Sequence, residues 1–178
     1  MKKTLVICGL IFTIFTSAVG ASYSSWAEPE IKIAESGGII TASQLLEDLT
    51  QPITRSDIAM LAVKAYINTK GYEMSDMDSH FTDTKSPYAE AAYRLGILYG
   101  TSDTEFTPYA NTTRQEMAKI ILSLKALVDG EELILPSNPK SVFTDFHTMS
   151  SWAKPYVAKA AEDGLINGYP DGSFGGTA

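Results

Sequence analysis

The chain has 178 residues, 44% of them hydrophobic, and a formal net charge of −7 at pH 7. Its one cysteine, Cys8, lies in the apolar N-terminal stretch, so the rest of the chain can form neither a disulfide bond nor a thiolate metal site. An acidic chain is repelled by nucleic acids and by anionic membranes, which argues against both as general partners.

The first 21 residues have the pattern of a secretory signal peptide. Two lysines precede an uncharged apolar run over 5–18, which is shorter than the roughly 20 residues of a membrane span. Cleavage after Ala21 or after Ala27 would each satisfy the preference for small residues. We predict cleavage after Ala21, because Trp26 and Ala27 belong to a repeat described below. Since 1–21 contains two lysines and no acid, the exported chain has a net charge of −9.

A short helix is predicted to begin near 26–29, where the sequence reads Trp-Ala-x-Pro, and to end at Gly38. The same pattern returns at 152–155 and Gly164 with identical spacing, and a related stretch ends at Gly96. Proline suits the first turn of a helix, where its missing N–H costs no hydrogen bond. Glycine suits the left-handed residue that ends one.

A second, longer helix is predicted at each Thr-Arg-x-acid tetrapeptide, over 54–57 and 113–116. Apolar residues follow each tetrapeptide at positions i, i+3, i+4 and i+7, which is the stripe of an amphipathic helix. The threonine and the acid three residues later resemble a capping box, which satisfies free N–H groups at a helix start. The predicted helix-capping residues are Thr54, Asp57, Thr113 and Glu116.

A Phe-Thr-Asp tripeptide precedes two of the short helices, at 81–83 and 143–145. The positions behind it recur at a constant offset through the helix, the glycine stop and the following turn. The later copy has six additional residues after its tripeptide, which is expected of a loop. Polar linkers are predicted at 68–79 and 129–140.

These recurrences divide the exported chain into three units, each with a short and a long helix. We predict unit boundaries at 22–79, 80–140 and 141–178. The third unit stops at Ala178, before its own Thr-Arg-x-acid helix, so we expect it to be incomplete and the sequence to be a fragment of something longer. The pattern predicts an all-α fold of tandem helical repeats.

Helix capping does not explain Arg55 and Arg114, because a cation in the first helical turn opposes the helix dipole. One interpretation is a binding site, since helix N-terminal N–H groups beside a guanidinium suit a carboxylate or a phosphate. The alternative is a salt bridge to a neighbouring unit. The sequence leaves both interpretations open.

The other recurring positions each have a structural and a ligand-binding interpretation. The two tryptophans fit a core or groove wall, or a platform for a sugar ring. The aspartates of Phe-Thr-Asp fit N-caps or turns, or a contact with a ligand hydroxyl. The glycines after the short helices fit turns, or close approach of the backbone to a ligand. These residues are Trp26, Trp152, Asp83, Asp145, Gly100 and Gly168.

Catalytic and metal-binding patterns are missing from the sequence. His80 and His147 are the only histidines and lie between units without an i, i+4 partner, so a zinc site is not expected. Nucleophile-elbow, phosphate-loop and dinucleotide motifs are absent, and 171–173 lacks the alternating oxygens of a calcium loop. We therefore expect a binding module without a cofactor or a membrane span rather than an enzyme.

The combined pattern of Phe-x-Asp, Trp-Ala, Gly-[Ile/Leu]-[Ile/Leu]-x-Gly, Asp-Gly-x-Phe and Thr-Arg-x-acid resembles S-layer homology repeats over nearly all of the exported chain. This resemblance implies three helical units about a pseudo-threefold axis. It also implies that grooves between the units bind secondary cell-wall polysaccharide, often pyruvylated, in Gram-positive-type envelopes. The protein would then be secreted and held non-covalently at the cell wall or S-layer. A pyruvyl ketal carries a carboxylate, which suits an arginine at a helix N-terminus.

The resemblance assigns polysaccharide binding to eight positions, although the units depart from the family pattern. The first unit has no Phe-x-Asp and has Ala42 in place of a glycine, and the second has no Trp-Ala, so fewer than three active grooves are expected. Two alternatives stay open: a degenerate scaffold for contacts with other surface proteins, and the N-terminal anchor of a surface enzyme whose catalytic domain lies beyond Ala178. The assigned positions are Arg55, Arg114, Trp26, Trp152, Asp83, Asp145, Gly100 and Gly168.

Overall fold

The structure, a computed structural model, describes residues 23–41, 44, 48–74, 78–141 and 143–177. The predicted signal peptide, Cys8 and Ala42 lie outside these residues. The described part contains five α-helices, two one-turn 3₁₀ helices and no β-strand, which confirms the predicted all-α fold. The α-helices are α1 (Glu28–Ser36), α2 (Arg55–Lys70), α3 (Pro87–Arg94), α4 (Arg114–Asp129) and α5 (Lys154–Glu162), and the 3₁₀ helices are Ser25–Ala27 and Phe146–Thr148.

The three short helices, α1, α3 and α5, begin and end in the same way. Each has a proline in its first turn, where the missing N–H costs no hydrogen bond. Each is followed by a glycine with a positive φ, and the next residue donates its N–H back to an alanine carbonyl of the helix, which closes a Schellman-type end. These glycines are Gly38, Gly96 and Gly164, with φ of 70°, 70° and 67°.

The two long helices, α2 and α4, have 16 residues each and begin at the predicted Thr-Arg-x-acid sequences. At α4 the Thr113 side chain accepts from the N–H of Glu116, and the Glu116 carboxylate accepts from the N–H of Thr113, which completes a capping box. At α2 the Thr54 side chain accepts from the N–H of Asp57. The Asp57 carboxylate contacts the threonine hydroxyl, so only half of the box forms.

The C-terminus of α2 corrects one predicted linker. The helix continues to Lys70 and stops at Gly71, which has a φ of 67°, so the first three residues of the predicted linker at 68–79 are helical. Polarity suggested a loop here, but Asn68 uses its polar side chain to fasten the helix, and its Nδ2 donates to the carbonyl of Gly37 at 2.5 Å. This bond joins the end of α2 to the end of α1.

Each long helix packs against the short helix of the following unit, α2 against α3 and α4 against α5. Two hydrophobic clusters result, one containing the fully buried Phe81 and Phe106 and the other the fully buried Val157 and Phe174. Because each cluster combines consecutive units, the units share their cores and are not separate domains. The predicted unit boundaries describe the sequence repeat and stay a prediction.

The start of each long helix is held by the loop of the next unit. The N–H of Ser56 donates to the carbonyl of Pro108 at 2.9 Å, and at the equivalent place the N–H of Gln115 donates to the carbonyl of Gly176 at 3.0 Å. These bonds satisfy donors that have no partner within the helix. The segments before α2 and α4 also join through one antiparallel bridge. The repeated contact fits units related by rotation, and the threefold arrangement stays a prediction.

Candidate ligand-binding grooves

Arg55, the first residue of α2, is almost entirely inside the protein, with 4% of it exposed. Its Nε donates to the carbonyl of Phe106 at 2.8 Å, and its Nη2 donates to the carbonyl of Tyr99. Its Nη1 lies 3.5 Å from Oε1 of Glu116 on α4. Burial lowers the pKa of Arg55, while the carboxylates of Glu116 and Asp83 act in the opposite direction. A salt bridge between units is therefore present at Arg55.

Arg114, the first residue of α4, makes equivalent backbone contacts but keeps part of its guanidinium open. Its Nε donates to the carbonyl of Phe174 at 2.7 Å, and its Nη2 donates to the carbonyl of Asn167 at 2.8 Å. The guanidinium carbon lies 4.8 Å from the ring centroids of Tyr169 and Phe174, within cation–π range. Among the described residues no carboxylate pairs with Arg114, and its Nη1 makes no hydrogen bond. Arg114 can therefore donate to an external anion.

Asp83 and Asp145 hold the turns that carry the arginine-binding carbonyls. Each carboxylate accepts two backbone N–H bonds of 2.7 to 2.9 Å from a turn 23 to 30 residues further along the chain. Asp145 occupies the N-cap position of the 3₁₀ helix Phe146–Thr148, but its side chain does not cap that helix, and both carboxylates bind a distant turn instead. The donors are Phe106 and Thr107 for Asp83, and Phe174 and Gly175 for Asp145.

These hydrogen bonds favour the ionised form of both carboxylates. The N–H of Phe106 is the main cause of the lowered pKa of Asp83. At Asp145 burial is the largest single influence and raises the pKa, but the N–H groups of Phe174 and Gly175 outweigh it, and the pKa is lowered overall. A charge-assisted bond of this kind is stronger than one between neutral groups, so the turns are firmly positioned.

Gly100 and Gly168 lack space for a side chain because a phenylalanine ring fills it. A Cβ at Gly100 would lie 2.7 Å from the ring of Phe81 and 2.5 Å from the carbonyl oxygen of Ser102. A Cβ at Gly168 would lie 2.6 Å from the ring of Phe143. Both phenylalanines open the Phe-Thr-Asp tripeptides. The close approach predicted at these glycines is thus made by the protein's own rings, and a ligand contact there stays a prediction.

Two clefts bring the predicted site residues together. The first, which we call the Lys119 groove, has a volume of about 150 Å³. It contains Arg55, Gly100 and Trp152, and Trp152 is 44% exposed. Sequence reasoning therefore identified three residues of one cleft that lie far apart in the chain. The remaining lining residues are Ile97, Leu98, Tyr99, Glu116, Lys119 and Ile120.

The second cleft, which we call the Arg114 groove, has a volume of about 570 Å³. It contains Arg114, Gly168 and Trp26, and Trp26 is 79% exposed. The predicted aspartates, Asp83 and Asp145, line neither groove. They hold the turns that carry the groove residues. The remaining lining residues are Met117, Ile121, Leu165, Ile166, Asn167, Tyr169 and Phe174.

All three units contribute residues to each groove, and they do so in the same order. In each of them one unit supplies the arginine, the next unit supplies the glycine turn, and the remaining unit supplies the tryptophan. This cyclic order is the one expected of units around a common axis. In unit order the Lys119 groove takes Arg55, Gly100 and Trp152, and the Arg114 groove takes Trp26, Arg114 and Gly168.

Lys119 is a groove residue that the sequence analysis missed. Its ammonium lies 5.0 Å from the ring centroid of Tyr99 and 5.9 Å from those of Trp152 and Tyr156. In the part of the chain that the structure describes, Lys119 forms no ion pair with a carboxylate. The equivalent position of α2 is Met60. The replacement of Met60 by a lysine at the equivalent position of the next unit could have identified Lys119 from the sequence.

Other kinds of site have less support in the described ranges. No group of three His, Cys, Asp or Glu side chains there could hold a metal ion. None of the helices in those ranges is long and apolar enough to cross a membrane. His80 packs face to face with Tyr93, with ring centroids 4.6 Å apart.

Comparison with known families and proteins gives a consistent result. A family model described as the S-layer homology domain matches residues 73–118 and 142–178. Cell surface glycoprotein 1 of Acetivibrio thermocellus is 31% identical over 140 residues, which cover 68% of this chain and 6% of the relative. The surface-layer 125 kDa protein of Lysinibacillus sphaericus is 34% identical over 113 residues, which cover 60% of this chain and 9% of the relative.

An enzyme is also among the relatives. Exoglucanase XynX of Acetivibrio thermocellus is 29% identical over 154 residues, which cover 84% of this chain and 14% of the enzyme. The chain thus spans only a small part of the length of each of these relatives. What they share with it is one region of a longer protein.

Proposed function

Because this chain belongs to the S-layer homology family through residues 73–118 and 142–178, we propose that it anchors a secreted protein non-covalently to the bacterial cell wall. Domains of this family anchor surface proteins to the wall and are not themselves catalytic. The names of two relatives support a location at the cell surface. The proposed partner is an anionic secondary cell-wall polysaccharide, with a pyruvylated polymer as the favoured candidate.

The Arg114 groove carries this proposal, because it places beside an exposed aromatic face a cation that pairs with no carboxylate of the described residues. Nη1 of Arg114 makes no hydrogen bond within the described part of the chain, so it can donate to the carboxylate of a pyruvyl ketal. Trp26 offers a flat apolar surface for a sugar ring and an indole N–H as a donor. The chain as a whole is acidic, so it repels an anionic polymer elsewhere and confines binding to the groove.

Binding to isolated cell-wall sacculi tests the proposal. Sacculi of Acetivibrio thermocellus are suitable, since two relatives come from this bacterium. The exported chain is incubated with intact sacculi and with sacculi from which the secondary polymer has been stripped chemically. We expect binding to intact sacculi that survives moderate salt and is lost after stripping. Equal binding to both preparations would overturn the proposal.

A variant pair connects this binding to the groove. Arg114→Gln removes the charge of the Arg114 groove and should weaken binding to intact sacculi. Lys70→Gln removes the same charge from the exposed end of α2 and should leave binding unchanged. Because the contact is electrostatic, the wild-type affinity should also decline as ionic strength rises.

A scaffold for contacts with other surface proteins is the second candidate, and the burial of Arg55 favours it. This arginine is engaged by two carbonyls and by Glu116 of the next unit, which is the role of a structural residue. If the Arg114 groove were only structural, Arg114→Gln would leave the binding to sacculi intact. Loss of binding by a folded variant supports anchoring instead.

The names of two relatives indicate what kind of protein such an anchor is joined to. One relative is named exoglucanase XynX and another is the amylopullulanase of Thermoanaerobacterium thermosulfurigenes, which is 29% identical over 157 residues. Those 157 residues cover 84% of this chain and 8% of that relative. We therefore propose surface enzymes as one class of protein that such an anchor carries.

A further inference from the structure

The Arg114 groove contains the one Asn-Gly pair of the sequence, Asn167 and Gly168. Asparagine before glycine is prone to lose its side-chain amide in water, because glycine has no Cβ to hinder the approach of its nitrogen to the asparagine side chain. Both residues are exposed, so water reaches them. In the equivalent turn of the second unit Tyr99 precedes Gly100, so this chemistry is confined to one of the two grooves.

The two groups that would react are not held by hydrogen bonds. Within the described ranges, neither the side-chain amide of Asn167 nor the N–H of Gly168 has a hydrogen-bond partner. The turn that follows is closed by the N–H of Tyr169, which donates to the carbonyl of Ser173 at 2.7 Å. The amide carbon of Asn167 can therefore rotate toward the nitrogen of Gly168 without breaking one of these bonds.

Arg114 favours the reaction through the peptide group that joins the two residues. The carbonyl of Asn167 and the N–H of Gly168 belong to this one planar group. Nη2 of Arg114 donates to the carbonyl at 2.8 Å. A positive charge at the carbonyl oxygen stabilises the anion that forms when the N–H loses its proton, and this anion is the attacking species. The groove thus promotes the reaction at the residue whose product carboxylate lies beside Arg114.

We propose that Asn167 is a site of spontaneous deamidation, and that the carboxylate formed there pairs with Arg114 and weakens the binding of an anionic ligand in the Arg114 groove. The effect on binding rests on the proposed function, whereas the modification itself does not. The side chain of Asn167 is neutral, and no carboxylate of the described residues pairs with Arg114. Deamidation therefore changes the charge of the groove, and an anchor of this kind binds the wall more weakly as it ages.

The reaction consumes water and releases ammonia. The deprotonated nitrogen of Gly168 attacks Cγ of Asn167, the bond between Cγ and Nδ2 breaks, and Nδ2 leaves as ammonia, which closes a cyclic succinimide. Water then opens the ring at one of its two carbonyl carbons. Attack at Cγ gives aspartate and keeps the original main chain. Attack at the main-chain carbon gives isoaspartate, and the carbonyl that accepts from Arg114 becomes the new carboxylate.

Ageing of the exported chain in oxygen-18 water tests the modification. One sample is kept at mildly alkaline pH, where a peptide nitrogen loses its proton more readily, and a parallel sample is kept at mildly acidic pH. We expect mass spectrometry of peptides to find one oxygen-18 atom at residue 167 of the alkaline sample. Asn138 is an internal control, because the following Pro139 has no N–H to lose. If Asn167 is converted no faster than Asn138, the proposal is wrong.

Binding to intact sacculi tests the effect on the groove. The deamidated chain, separated by ion exchange through its added negative charge, should bind about tenfold more weakly than the fresh chain, the loss expected for one charge-assisted contact. Asn167→Asp should show the same loss without ageing. Asn138→Asp adds the same charge at an exposed position outside the groove and should keep the wild-type affinity. Asn167→Gln has one more methylene, which slows ring closure, so its fresh and aged samples should bind alike.

The outcomes separate this inference from the proposed function. A fresh wild-type chain that ignores intact sacculi would count against anchoring, while mass spectrometry would still decide whether Asn167 is modified. Binding that survives complete deamidation of Asn167 would overturn the effect on the groove and leave anchoring supported. Equal affinities of Asn167→Asp and Asn138→Asp would overturn it as well. If Asn167→Asp proves unstable, the deamidated wild-type chain makes the same test, with circular dichroism to show that it is folded.

Discussion

Asp83 and Arg55 bind the two backbone groups of a single residue, Phe106. Its N–H donates to Asp83 at 2.9 Å, and its carbonyl accepts from Arg55 at 2.8 Å. The same relation recurs in the next unit at 2.8 Å and 2.7 Å. The aspartate holds the N–H of the turn, and the carbonyl of the same turn holds the arginine. The aspartate therefore positions the arginine through the turn, without lining the groove itself. The second set consists of Asp145, Phe174 and Arg114.

The first prediction concerns the aspartate of the second set. Asp145→Asn removes the charge that accepts the N–H groups of Phe174 and Gly175 and leaves one of these donors without an acceptor. We expect the free energy of unfolding to fall by about 1–3 kcal/mol, measured by urea denaturation. Asp103→Asn, on the exposed loop of the equivalent turn, should change it by less than about 0.5 kcal/mol. Equal losses in both variants would show that general charge, and not these bonds, stabilises the fold.

The stability of the fold should depend on pH through Asp83 and Asp145. The pKa values of Asp83 and Asp145 are lowered in the folded protein, so the unfolded chain binds protons more readily. Their contribution to stability is fully present above the unfolded pKa of about 4 and is lost as the pH falls through the lower folded values. The free energy of unfolding should therefore decline below about pH 4.

The double variant Asp83→Asn with Asp145→Asn isolates this effect. Its amides do not titrate, so the double variant should start from a lower stability at neutral pH and show a shallower decline in acid. Urea denaturation at a series of pH values measures both slopes. A double variant with the wild-type slope would assign the acid sensitivity to another carboxylate, such as Glu90, whose pKa is also lowered.

The helix boundaries could be predicted from the sequence because their causes are local. Pro155 and Gly164 mark the ends of α5, and Thr113 with Glu116 marks the start of α4, all within a few residues of the boundary. The same reasoning failed at 68–70, because the side chain of Asn68 donates to the carbonyl of Gly37, the residue that caps the end of α1.

The site residues could be located by their recurrence, but their roles could not be read from it. Arg55 and Arg114 have the same sequence context, yet among the described residues a carboxylate contacts Arg55 alone, and it comes from Glu116, 61 residues further along the chain. Lys119 owes its aromatic surroundings to Tyr99 and Trp152, which precede and follow α4. Such contacts depend on how three units assemble, and no local pattern encodes that assembly.

The third prediction separates the two arginines. Arg55→Gln leaves the carbonyls of Phe106 and Tyr99 and the carboxylate of Glu116 without their cation inside the protein, so we expect a loss of about 3 kcal/mol in stability. Arg114 is less buried and has no carboxylate partner among the described residues, so Arg114→Gln should cost about 1 kcal/mol. We therefore expect Arg55→Gln to cause the larger loss of thermal stability and Arg114→Gln to cause the larger loss of binding to sacculi. The same ranking in both measurements would favour the scaffold over the anchor.

The last prediction uses two adjacent threonines with opposite roles. The Thr112 hydroxyl is buried and, within the described residues, has no hydrogen-bond partner, whereas Thr113 caps α4. Thr112→Val keeps the shape and removes the unsatisfied group, so stability should rise by about 1 kcal/mol. Thr113→Val makes the same chemical change one residue later and should lower it by about 1 kcal/mol through loss of the cap.

The contrast controls for the substitution itself, because both variants exchange a hydroxyl for a methyl group on a β-branched side chain. The residue equivalent to Thr112 before α2 is Ile53, which shows that this position of the repeat accepts an apolar side chain. Urea denaturation of both variants measures the sign of each change. A fall in stability for Thr112→Val would contradict this prediction. It would mean that the Thr112 hydroxyl has a hydrogen-bond partner in solution and that this bond stabilises the segment before α4.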